Sequence, residues 1–474
     1  MSTAAAPVPP ARHTDATPPP RPPSPHRLAS GPQGADALRP LLATVLDALH
    51  TGDRTRGGPL PAGGPEAVTA RIREAVGDVL PEDGDPTALA VLVHAFAEHA
   101  ADPAHPLCAA HLHCPPLAVA TAADLAATAL NPSLDSWDQA PAATALETLV
   151  TRALARLAGA ADALVTTGGT EANQLALLLA REAHGPGVRL VTGANAHHSL
   201  TRAAWLFGLP EPVVLPAPAG TLDPAALEEA LTRLPGPVLV AATAGTTDAG
   251  LVDPLPEIAA RCAAHHARLH IDAAYGAGLL FSDRHRTTLT GLDAADTITL
   301  DLHKLGWQPI AAGLFAVKNP DDLAPLGQRT DYLNADDDTD AGLPDLLGRS
   351  LRTTRRPDIL KIAVTLKTLG RTGLGALVDQ VCAHARHFAA LVDAHPRFEL
   401  HAPPTISTVL FRPAHTTDAT VAAVRRTLLT EGRAVLGRAR LDGRLWLKAT
   451  LLNPHTRPED LATLLTLVEG HTPR

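Results

Sequence analysis

No lysine precedes position 304 in this 474-residue chain, and only five occur in all: Lys304, Lys318, Lys361, Lys367 and Lys448. Arginine supplies nearly all the positive charge. Its guanidinium stays protonated and cannot form imines, so amine chemistry is confined to those five positions. Lys318 and Lys361 read as ordinary surface charges. Aromatic residues are also scarce, at 3%, with two tyrosines, Tyr275 and Tyr332. The core must therefore be built largely from alanine, leucine and valine. No basic block offsets the net charge of −9, which argues against nucleic acid as a partner. The four cysteines (Cys108, Cys114, Cys262, Cys382) form no CxxC pair and show no metal spacing. They read as reduced thiols of a cytoplasmic protein. No run is apolar enough to cross a membrane, and the proline-broken N-terminus does not read as a signal peptide.

What is present falls into four parts. Residues 1–33, rich in proline and alanine, are expected to be a disordered tail. Residues 34–115 carry helical apolar periodicity near 36–50, 65–78 and 86–100, and are expected to form a helical, dimerising segment. From 116 to 373, two helices (116–128, 141–158) precede strands near 163–166, 188–192, 213–215, 238–242, 268–272, 296–300 and 312–317. Helices separate the first five strands. That alternation predicts an α/β fold with a mostly parallel central sheet and helices on both faces. Helices near 358–370 and 375–393 follow. Residues 374–474 are expected to form a small C-terminal α/β domain, with strands at 406–411 and 444–450 and helices at 418–431 and 457–468.

Lys304 follows the apolar run at 297–300, and Asp272 ends another strand 32 residues earlier (304 − 272 = 32). A strand-end amine beside a strand-end carboxylate is what a pyridoxal 5′-phosphate (PLP) enzyme needs. The amine forms a Schiff base, and the carboxylate keeps the pyridine nitrogen protonated so that the ring accepts electrons. Thr166-Thr167-Gly168-Gly169-Thr170-Glu171-Ala172-Asn173 follows a strand and opens a helix. It reads either as a phosphate cradle or as a glycine turn with a threonine cap. His197-His198-Ser199 reads as a polar helix start or as an imidazole placed to stack on a flat ring. Thr243–Thr247, with Asp253-Pro254-Leu255, suits a ligand crevice or an ordinary turn. Tyr332 lies in an acidic loop with Asp336, Asp337, Asp338 and Asp340, either a solvated surface or an active-site lid.

Taken together, Thr167–Asn173, His197–Ser199, Gly245–Thr247, His270–Tyr275 and His303-Lys304 resemble the PLP-dependent group II amino acid decarboxylases. Within them, residues 131–141 (NPSLDSWDQAP), 304–309 (KLGWQP), 331–334 (DYLN) and 353–356 (TTRR) are most similar to the branch acting on basic amino acids, which includes L-2,4-diaminobutyrate decarboxylases and siderophore-pathway lysine decarboxylases. Two stretches depart from that branch: Glu171-Ala172 stands where Gln-Ser is common, and Gly306-Trp307 where bulky aromatic pairs are common. Both departures are expected near the cofactor.

The resemblance implies PLP fold type I, the aspartate aminotransferase-like architecture, in a homodimer with active sites at the interface. It implies that Lys304 binds PLP, Asp272 pairs with the ring nitrogen, His197 stacks on the ring and Ala274 packs on its other face. Gly169, Thr170 and His303 would hold the phosphate, and Thr247 would sit near the ring's polar edge. Tyr332, reaching into the partner's site, would protonate the substrate carbon. The expected substrate is a basic L-amino acid (2,4-diaminobutyrate, ornithine or lysine). Aromatic or acidic substrates are the alternative, and a non-catalytic PLP-binding protein is a third reading. Asp135, Asp138, the loop aspartates, His111 and His113 are candidates to line the substrate pocket.

Overall fold

The computed structural model describes residues 27–327 and 330–473, so most of the expected tail lies outside the described residues. Twelve strands among them form two sheets: β1 (Cys108–Ala109), β2 (Asp162–Thr166), β3 (Arg189–Gly193), β4 (Val213–Leu215), β5 (Val238–Thr243), β6 (Arg268–Ala273), β7 (Thr297–Asp301), β8 (Gly313–Val317), β9 (Phe398–Leu400), β10 (Thr408–Pro413), β11 (Val435–Leu441) and β12 (Arg444–Thr450). The larger sheet has the order β2-β8-β7-β6-β5-β3-β4. The pairs among β3 to β7 are parallel, and β8 runs antiparallel to both its neighbours. Strands β5, β7 and β8 are buried along their whole length. The near-continuous apolar sequences of β5 and β8 reflect cover on both faces. One face packs around Val240, Ile271 and Ile298, the other around Leu164, Leu239 and Phe315.

The smaller sheet has the order β1-β11-β12-β10-β9 and its own core, with Phe388, Phe411, Leu447 and Leu464 fully buried. Three of its strands were not legible beforehand. β1 and β9 hold two and three residues, too few to show a period. β11 turns Arg438 and Arg440 outward between buried positions, and so reads as polar. The helices expected at 358–370 and 375–393 run together as Ile359–Ala394, broken only at Gly370, whose φ of 63° favours glycine.

One basic residue departs from expectation, and another is buried beside a distant helix. Lys361 is fully buried rather than on the surface, with Nζ 3.0 Å from Asp358 Oδ1 and 3.3 Å from Asp124 Oδ1. Arg355 of the 353–356 stretch makes a bidentate buried pair with Glu147, at 2.8 and 2.6 Å. In each case one carboxylate, Asp124 or Glu147, comes from a distant helix, which a local reading does not bring together. Among the described residues, no helix is long and apolar enough to cross a membrane.

Candidate active site

The site lies at the C-terminal edge of the larger sheet. Thr243, Asp272 and Thr299 stand abreast on β5, β6 and β7 through the strand register. Asp272 is buried. Its Oδ1 accepts from the Ala274 N–H at 3.1 Å and its Oδ2 from Asn173 Nδ2 at 2.8 Å. The Asn173 amide is also fully engaged. Nδ2 donates to Ser199 Oγ at 2.9 Å, while Oδ1 faces Thr299 Oγ1 at 2.8 Å and His270 Nε2 at 3.0 Å.

The network continues from that amide to His197. Ser199 Oγ accepts from Asn173 and lies 2.8 Å from His197 Nδ1. The Ser199 backbone N–H points to the same nitrogen at 3.3 Å. His197 Nδ1 is therefore an acceptor and the ring is neutral. Burial lowers its pKa, against the opposing pull of Asp272. His270 is held neutral more strongly, pushed down to about 4 by complete burial. His197 caps its own helix and also faces the cavity.

The glycine turn meets the strand ends from the other side. Gly168 has φ 154°, and a Cβ there would come 2.9 Å from His303 Cε1. A Cβ on Gly169 would reach 3.0 Å from that of Ala274. Glu171, left open by the sequence, braces this turn from outside the cavity. Its Oε2 accepts from the Thr167 N–H at 2.6 Å and Thr167 Oγ1 at 2.7 Å, and Oε1 meets Arg352 Nε at 3.3 Å.

Lys304 sits one turn past β7. Its Nζ is 3.1 Å from Asp301 Oδ2, an oxygen that also accepts from the Gly169 N–H at 3.1 Å. These groups surround a cavity of about 300 Å³. Gly169, Thr170, His197, Thr247, Asp272, Ala274, His303 and Lys304 all line it. Tyr332 does not. It is 79% exposed on the short helix Asp331–Asn334, outside the cavity.

Several other expectations are corrected. His111 and His113 are exposed, and Leu112 between them lines the cavity instead. Asp135 and Asp138 lie away from it, engaged with Gln139 and Ser136. Trp307 is not beside the cofactor site: its indole is buried in the core and donates to the Leu452 carbonyl at 2.8 Å. Asn173, Ser199 and Asp301 were missed as contributors. Their side chains converge only after distant strand ends are assembled. Asn173 and Ser199 stood inside the quoted motifs without a role of their own, and Asp301 stood three residues before the lysine.

Residues 91–414 match the model of the pyridoxal-dependent decarboxylase conserved domain. The chain belongs to that family. Its cofactor is PLP, and its activity is that of a PLP-dependent amino-acid decarboxylase of group II. It is 43% identical over 418 residues to the L-2,4-diaminobutyrate decarboxylase of Rhizobium meliloti (strain 1021), covering 84% of each chain. The glutamate decarboxylase domain of a Vibrio parahaemolyticus diaminobutyrate-pyruvate transaminase and L-2,4-diaminobutyrate decarboxylase superposes with a TM-score of 0.84 at 30% identity, covering 94% of this chain and 97% of that one. An Oryza sativa TDC structure holding PLP and tryptamine has the same fold, with a TM-score of 0.84 at 23% identity over 93% and 99% of the two chains. The architecture is PLP fold type I, as expected.

The decarboxylase's cavity suits that cofactor. Among the described residues, Thr243 Oγ1, Asp301 Oδ1 and His303 Nδ1 are buried there without a hydrogen-bond partner. Such orphaned groups are costly unless something else satisfies them. The Gly169–His184 helix also directs its N-terminal N–H groups and positive dipole end at the same space.

Proposed function

We propose that this decarboxylase converts a basic L-amino acid, 2,4-diaminobutyrate before ornithine or lysine, into its amine and carbon dioxide. The likeness to the Rhizobium meliloti enzyme, at 43% identity along most of both chains, carries this reading. The cavity adds a chemical argument. Its two carboxylates, Asp272 and Asp301, are already engaged with Asn173 and Lys304. An anionic group for the substrate's distal amine must come from elsewhere. The acidic segment with Asp331, Asp337, Asp338 and Asp340 is the candidate, supplied with Tyr332 by the second subunit of a homodimer. Apolar side chains exposed on the N-terminal helices, among them Leu46, Leu49 and Phe96, favour such a dimer.

Lys304 would hold the cofactor covalently through its amine. Gly169, Thr170 and His303 would bind its phosphate, and Thr247 would contact the ring's polar edge. His197 and Ala274 would confine the ring between them. When bound, PLP supplies a sink for the electron pair released with carbon dioxide. Asp272, held in place by the Asn173 amide and the Ala274 N–H, would face the ring nitrogen and favour its charged form. The neutral His197 ring presents a face without competing for that charge. The Tyr332 phenol would deliver a proton to the substrate's α-carbon.

The test is to incubate purified, PLP-loaded protein with a panel of amino acids and measure amine and carbon dioxide. Product from diaminobutyrate, ornithine or lysine is expected. Product only from tyrosine, tryptophan, glutamate or aspartate would reject a basic substrate.

A further inference from the structure

Asp301 stands where an anion is to be bound. Its side chain is 2% exposed, and three nitrogens surround a single oxygen. Oδ2 is 3.1 Å from the Gly169 backbone nitrogen, 3.1 Å from Lys304 Nζ and 3.4 Å from His303 Nε2. Oδ1 is buried without a partner among the described residues. The titratable groups facing it are Lys304 and His303 from its own turn and His197 from the opposite wall, joined by the N-terminal dipole of the Gly169–His184 helix. Burial already raises its pKa, with Lys304 and His303 opposing that rise. An ionised Asp301 thus occupies the same N–H group that the reading above assigns to the cofactor's phosphate.

Loading changes both sides of that balance. Lys304 is drawn to the cofactor, and a phosphate arrives at Gly169. Two buried anions at hydrogen-bond distance repel, and one of them is forced toward its neutral form. We propose that Asp301 takes up one proton from solvent as the phosphate binds, and that its neutral carboxyl donates a hydrogen bond to a phosphate oxygen. This inference rests on the placement of PLP in the cavity. It makes Asp301 a phosphate-binding residue that couples cofactor loading to pH. The carboxyl is more basic in the loaded state than in the free one. Loading is therefore tightest below the free-state pKa and weakens up to tenfold per pH unit until the loaded-state pKa is passed.

Asn at 301 keeps the shape and is a permanent neutral donor. Full-length wild-type and Asp301→Asn protein, stripped with hydroxylamine, should be titrated with PLP and with pyridoxal from pH 6 to 8.5 by equilibrium dialysis. The ratio of wild-type to variant Kd should rise on the order of tenfold or more for PLP and stay flat for pyridoxal, which lacks the phosphate. A ratio for PLP that is constant with pH overturns the proposal. If circular dichroism shows the variant unfolded, wild type alone decides. Calorimetry in buffers of different ionisation enthalpy should give, at pH 8, an uptake about one proton greater for PLP than for pyridoxal, which shares the ring-nitrogen and Lys304 protons, while the bound phosphorus resonance stays that of a dianion. No such difference overturns the inference. Borohydride reduction and peptide mapping separate the two levels: PLP on Lys304 upholds the site even if the coupling fails, whereas PLP on another lysine removes both.

Discussion

The Asn173 amide donates to Asp272 Oδ2 at 2.8 Å, joining the helix after the glycine turn to the carboxylate at the end of β6. The same amide donates to Ser199 Oγ, which with the Ser199 N–H meets His197 Nδ1. One buried side chain thus sets the positions of two groups assigned to the cofactor ring.

Replacing Asn173 with alanine strands buried partners on four residues. Each buried group left unsatisfied costs about 1–3 kcal/mol, so Asn173→Ala should lower stability by at least about 2 kcal/mol and weaken PLP binding. Asn173→Asp should weaken PLP binding more, since it sets a second carboxylate against Asp272. Denaturant melts and PLP titrations measure both; an unchanged melting midpoint in Asn173→Ala would contradict the network.

Lys304→Ala should abolish turnover and the visible absorbance of lysine-bound cofactor. Borohydride reduction with peptide mapping should find no pyridoxyl adduct on Lys318, Lys361, Lys367 or Lys448. The burial of Lys361 against Asp358 and Asp124 gives a reason for it to stay unmodified.

Tyr332→Phe should lower kcat while leaving PLP binding intact. If Tyr332 serves the neighbouring subunit's site, mixing it with Lys304→Ala should restore activity. Random re-pairing makes half the dimers hybrid, each with one whole site, so recovery should approach about a quarter of wild type. Two inactive variants that stay inactive after verified subunit exchange would place Tyr332 elsewhere.

His270 supplies a pH test of stability. Its folded pKa, about 4, lies below the ordinary 6.5, so the unfolded chain binds the proton more readily. The contribution is fully present above pH 6.5, is lost as pH falls toward 4, and levels off below that. From that difference it is about 3 kcal/mol. Urea melts between pH 4 and 7 should show a steeper slope for wild type than for His270→Gln.

Lys304 and Asp272 were legible because each ends an apolar strand, and such ends converge on one edge of a parallel sheet. The glycine turn and His197 were legible as strand–helix junctions, although each also fitted a plain capping role. Asp301 and Asn173 were not singled out, since their importance lies in partners 132 and 99 residues away along the chain. Lys361 was misjudged for a related reason: one of the carboxylates that neutralise it, Asp124, comes from a distant helix.

The sequence by itself determined where an amine could act, because arginine had displaced lysine from the first 303 positions. It also determined the alternating strands and helices, since local periodicity encodes which faces are buried. Only the tertiary structure decided how that amine is kept. Lys304 meets a buried carboxylate that also occupies the Gly169 N–H, and a single amide orders the opposite wall. Those relationships depend on distances of about 3 Å between strand ends, which chain order does not encode.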